Sequence, residues 1–196
     1  MDFIAIIERT KRILVNPAEE WKIIREEPKT KMYVVRTFAL PYILMLAIAT
    51  FLGMVLFRSY IPPGIMIVIS LVTFFGAFLS LFVSAWLINA FAGLFDSKRD
   101  INSAFSLVVY SYTALFITHA VGNLILPLFF ITLLGIYCVY VLWIGLGDMM
   151  ETPGEKQVGF GLVSSVTILV VYVTMNTLLG MISTSLLVSS GINSLT

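Results

Sequence analysis

Between Asp100 and Asp148 the chain carries no Asp, Glu, Lys or Arg, and from Ala104 to Leu146 it is apolar almost throughout. A water-soluble domain of 196 residues has too small an interior to hide such a run. Hydrocarbon is the solvent that stabilises it. In hydrocarbon each backbone N–H and C=O must be satisfied within the protein, and a single segment does this only as a helix. Composition agrees: 59% of residues are hydrophobic and 12% charged, whereas soluble domains carry about 25% charge.

About 20 apolar residues cross a hydrocarbon core roughly 30 Å thick. Gly122-Asn123 interrupts the long run, which divides it into two crossings at 104–121 and 124–146, with Pro127 in the first turn of the second. Three further spans are read at 37–57, 65–92 and 161–187. Arg36 and Arg58 bracket the first, and Pro41 near its start is tolerable in a membrane helix. The uncharged stretch of the second continues to Phe95, which predicts tilt or an interfacial tail. Charged loops are expected at 96–102 and from Asp148 to Lys156, and a short polar end from Ser189 to Thr196.

Residues 1–33 are different in kind. Phe3, Ile4, Ile7, Ile13 and Leu14 share one helical face, with Glu8, Arg9, Lys11 and Arg12 interleaved. Asn16-Pro17 reads as an N-cap followed by proline at the first helical position, with Glu19 and Glu20 complementing the dipole of a second helix that stops near Pro28. Two surfaces could receive the apolar faces of these helices: the membrane interface, where Trp21 suits headgroup depth, or the end of the bundle. The chain thus reads as an all-α integral membrane protein, with a cytosolic amphipathic region at 1–33 and a five-helix transmembrane domain at 34–196.

The loops orient it. With a cytosolic N-terminus, eleven of the twelve Lys and Arg residues fall on the inside and Arg58 alone outside, as the positive-inside bias requires. Five spans then put the C-terminus outside. Lys29, Lys31 and Arg36 serve this orientation and attract anionic headgroups. A net charge of +1 gives no field that would favour nucleic acid. The one cysteine, Cys138, lies in an apolar run and reads as an inert buried thiol.

No charged residue lies inside a span, which argues against a proton relay or voltage sensor. No metal-ligand spacing, phosphate-binding glycine loop or Ser/His/Asp set is present, so no cofactor, metal or enzymatic activity is expected. The polar residues that remain are the candidate sites. Tyr112, Phe116, His119 and Asn123 fall on one helical stripe, either a polar groove for a headgroup, solute or partner helix or simply a packing seam. Gly76, Ser80 and Ser84 form a small-residue ridge that permits close helix approach within one chain or in a homo-oligomer. Asn89 is an interhelical hydrogen-bonding candidate, and Tyr137, Tyr140 and Trp143 form an aromatic series suited to an interfacial belt. Asp148, Glu151 and Glu155 form an acidic loop that reads as solvated.

The order of these features resembles a known family. Ile13-Leu-Val-Asn-Pro-Ala-Glu-Glu-Trp21 is similar to the opening of bacterial members, Tyr110-Ser-Tyr-Thr-Ala-Leu-Phe116 to an aromatic third-span motif, and Tyr140-Val-Leu-Trp-Ile-Gly-Leu-Gly147 with Pro153-Gly-Glu-Lys156 to a fourth-span exit and loop. Together they resemble the Ypt-interacting protein (Yip-one) family, prokaryotic branch. Family members often carry proline where this chain has Ala114, and the Asp-Leu-Tyr-Gly-Pro-like motif of the eukaryotic members' N-terminal region is not found in it. The resemblance implies a non-enzymatic scaffold or adaptor of a bacterial or archaeal inner membrane, with the endoplasmic reticulum or Golgi as the alternative. Its partners would be membrane lipids and other membrane proteins. The competing reading is a small transporter, channel or lipid scramblase that uses the third-span stripe.

Overall fold

A computed structural model describes residues 3–27 and 30–189. The side chain of Phe3, Pro28, Lys29 and the polar end beyond Ser189 lie outside the described residues. Seven helices form among those described. Two short ones, α1 (Phe3–Val15) and α2 (Pro17–Glu26), precede five long apolar ones: α3 (Lys31–Phe57), α4 (Pro63–Phe95), α5 (Ile101–Leu124), α6 (Leu126–Met150) and α7 (Gly154–Ser189). Each of the five has the length and apolarity to cross a bilayer, and the protein is a multi-pass membrane protein.

Local chemistry explains the irregular turns. Pro41 has no N–H to offer the carbonyl of residue 37, and ahead of it the chain widens into a π-turn over Val35–Ala39, where the Leu40 N–H reaches back to the Val35 carbonyl. α4 closes in a 3₁₀ turn, Gly93–Phe95. The first part of α6, Leu126–Ile136, is 3₁₀ in winding and becomes α-helical from Tyr137. Asp100 caps α5 by accepting the Asn102 and Ser103 N–H groups.

Two sequence expectations need correction. Gly122-Asn123 is not the turn: α5 runs on to Leu124, and the helix breaks at Ile125. A Cβ on Gly122 would stand 2.6 Å from Thr132 Cγ2, so glycine there permits close packing of α5 on α6. The Asp148–Lys156 loop is also shorter than expected. Asp148 lies within α6, and α7 begins at Gly154, because hydropathy marks the hydrocarbon stretch of a helix and not its polar ends.

α5 is the axis of the bundle, by far the most buried of the five, and packs on α3, α4 and α6; α7 packs on α4 and α6. The outward faces of the other four carry Ile48, Phe75, Trp86, Phe129, Leu133 and Val166, all exposed as a lipid-facing surface requires. The basic end is tied together by the loops. The Lys98 N–H donates to the Met150 carbonyl at 2.8 Å, Lys156 pairs with Asp96, and Lys98 Nζ meets Glu151 at 2.8 Å. That last hydrogen bond holds the Lys98 ammonium above and the Glu151 carboxyl below their usual values.

Candidate functional site

The third-span stripe and the small-residue ridge meet. Gly76, Ser80, Tyr112, Phe116, His119 and Asn123 all border one cavity of about 80 Å³ between α3, α4, α5 and α7. That is room for a few water molecules. It is well below the roughly 300–1,000 Å³ of a typical small-molecule pocket.

Each polar side chain of the stripe is engaged by a different neighbouring helix. The Tyr112 hydroxyl is 2.9 Å from Ser84 Oγ on α4. His119 bonds through its ring to the Tyr172 hydroxyl on α7. Asn123 Nδ2 donates to Thr50 Oγ1 on α3 at 3.0 Å. Phe116 stacks on Tyr112 with ring centroids 5.6 Å apart, so the apolar member of the stripe orients its neighbour. One face of α5 thus carries a polar pin to each of α3, α4 and α7.

The ridge packs within the chain. Gly76 faces Leu179 on α7, where an added Cβ would meet Leu179 Cδ1 at 2.6 Å, and Ser80 Oγ donates to the Gly76 carbonyl at 2.8 Å. Asn89 stands apart: it does not line the cavity, and its Oδ1 is buried without a hydrogen-bond partner among the described residues. Of the aromatic series, Tyr137 donates to the Leu14 carbonyl at 2.8 Å, and Trp143 packs on Gly161. Cys138 is fully buried. Among the described residues no three His, Cys, Asp or Glu side chains gather as a metal site would need.

A second constellation was not visible in the sequence. α1 and α2 dock on α5 and α6, and their inward face is ionic as well as apolar. Trp21 is fully buried, donates Nε1 to the Val141 carbonyl at 3.0 Å and meets the Tyr110 ring edge-on. Glu20, 1% exposed, receives Arg12 Nε at 2.7 Å and lies 3.4 Å from Arg9 Nε. Arg9 also grips Glu27 through two bonds, of 2.7 and 2.8 Å, and lies over the Tyr110 ring. The bond to Glu27, set against partial burial, raises the Arg9 guanidinium above its ordinary value. Thr10 bonds the Tyr42 hydroxyl of α3. Trp21 is therefore turned into the protein. Glu20 and Arg9 read in the sequence as ordinary charges of an amphipathic helix. Tyr172 and Asn176 at i, i+4 in an apolar span were the available signal for the partner of His119.

No curated protein and no solved structure matches the chain. The family model described as Yip1 domain matches residues 11–176, which reach from α1 through the docked α2 and all the cavity-lining polar residues up to Asn176 of α7. With most of its length matched, this multi-pass membrane protein belongs to the Yip1 domain family.

Proposed function

We propose that the protein is a non-enzymatic scaffold or adaptor of a prokaryotic cytoplasmic membrane, with α1 and α2 in the cytosol and the end of α7 outside, organising lipids or membrane protein partners. The observation that carries this reading is the use of the intramembrane polar groups. Tyr112, His119 and Asn123 are each bonded to another helix, which spends them on holding the bundle. The orientation is supported by the eleven basic residues on the side of α1 and α2, against Arg58 at the other. In-cell crosslinking followed by recovery in mild detergent tests it: specific partner proteins or lipids above control support the reading, and their absence overturns it.

The cavity supports a second reading, in which His119, Asn123 and Asn176 line part of a path for a small solute or lipid headgroup. Reconstituted vesicles decide between the two. Flux of ions, dyes or labelled lipids that is lost in His119→Ala would establish transport, and no flux would remove it.

A further inference from the structure

We propose that the turn joining α1 and α2 is immersed in lipid, so that the pair packs on the bundle with one face and on the surrounding leaflet with the other. The inference uses the five crossings and does not rest on the scaffold reading. Two helices give the depth. Counting back from Phe57, the residue before Arg58, about 20 residues of α-helix cover roughly 30 Å of hydrocarbon and end near Phe38 of α3. On α6 the 11 residues of 3₁₀ winding from Leu126 rise about 22 Å. About five α-helical residues from Tyr137 complete that crossing, which ends near Val141. The two edges stand level. Phe38 packs on the Tyr110 ring with centroids 4.6 Å apart, Tyr110 meets Trp21, and Trp21 donates to the Val141 carbonyl. Trp21 therefore marks the edge of the hydrocarbon. Helix tilt would move both edges towards the basic end and sink the pair further.

From Trp21 the chain runs inward to its turn. The Leu14 carbonyl accepts the Tyr137 hydroxyl at 2.8 Å, and Tyr137 lies one α-helical turn, about 6 Å, nearer the bilayer centre than Val141. In the other direction Arg25 faces Asp148 at 4.0 Å, close to the end of α6. Val15, Asn16 and Pro17 are thus the deepest point of the pair, and their chemistry suits lipid. Val15 is 75% exposed, at the level of the exposed Ile136 and Tyr140 on the lipid-facing side of α6. The Asn16 N–H is spent on the Arg12 carbonyl, and Pro17 has none to leave unsatisfied. Nearer the surface Glu20 is enclosed with Arg9 and Arg12, so these charges face one another. The exposed Lys11 and Lys22 have stems long enough to carry their ammonium groups to the headgroups. The partner of this surface is the glycerol and upper acyl layer of one leaflet, about 5–10 Å deep, where amphipathic helices bury their apolar faces.

The test is spin labelling of the full chain in vesicles of phosphatidylethanolamine and phosphatidylglycerol. Labels are placed singly through Val15→Cys, Lys22→Cys, Leu133→Cys and Glu155→Cys, all at exposed positions, and the wild type controls for Cys138, which is fully buried. Collisions with oxygen, which concentrates in lipid, are compared with collisions with a water-soluble nickel chelate. The label at Val15 is expected to lose most of the nickel collisions seen at Glu155 and to approach the lipid-facing Leu133. The label at Lys22 is expected to fall between Val15 and Glu155. Nickel access at Val15 equal to that at Glu155, or lower at Lys22 than at Val15, would overturn the proposal. Partner capture plays no part in this readout, so the scaffold reading stands or falls separately.

Discussion

Glu20 is enclosed by the protein and shared between Arg9 and Arg12. Glu20→Ala takes from Arg12 its enclosed anion and leaves Arg9 with Glu27 alone. The expected cost is about 1.5–3 kcal/mol, the worth of hydrogen bonds to charged groups, read as a lowered Tm in detergent. His119 and Tyr172 test the same idea inside the span. A double-mutant cycle of His119→Ala and Tyr172→Phe should give a coupling of about 0.6 kcal/mol, and at most about 1.7, as interhelical bonds in membranes do. Asp100 supplies the pH test. Burial pushes its carboxyl up, but the Ser103 hydroxyl, the Asn102 and Ser103 N–H groups and Lys98 outweigh it and leave the group below its usual value. A depressed carboxyl contributes stability that is fully present above the unfolded value near 3.9 and is lost as pH falls through the folded one. Thermal melts should therefore be flat in this contribution from pH 7 to 5. Asp100→Ala should cost about 1 kcal/mol as a lost cap.

Helix positions were legible at the element scale because each span carries its own apolar signal, and helix contacts were not, because they join residues far apart in sequence. His119 and Tyr172 are 53 positions apart, and Trp21 and Val141 are 120 apart; no local pattern couples either pair. Glycine was misread for a related reason. In water Gly122 would mark a break, whereas between membrane helices it marks close approach. Gly53 is the most demanding case, since a Cβ there would overlap the backbone carbonyl of Asn123, which cannot move without moving α5. Gly53→Ala should destabilise the contact of α3 with α5 by about 1–3 kcal/mol, the usual cost of overpacking. Gly145 does the same work where α2 docks, its added Cβ meeting Leu107 Cδ1 at 2.7 Å and the Trp21 ring. Gly145→Leu should release α2, making residues 3–27 sensitive to protease, and loosen the contact of α6 with α5 at Leu107.

The molecule as a whole is a bundle centred on α5 with an N-terminal helical pair fastened to its basic end. Polar pins from α5 to α3, α4 and α7 fix the bundle, and the Arg9, Arg12, Glu20 and Glu27 cluster fixes the pair. The count of crossings came directly from hydrocarbon thickness and apolar run length. What it left open was where residues 1–33 would lie, because an amphipathic face does not name the surface it covers. The proposed orientation depends on five crossings, an odd number that would separate the two ends of the chain. The most direct test is a pair of compartment-sensitive reporters, one fused before Met1 and one after Thr196. The N-terminal reporter is expected to be active only in the cytosol and the C-terminal one only outside. Activity of both reporters in the same compartment would overturn the five-span arrangement.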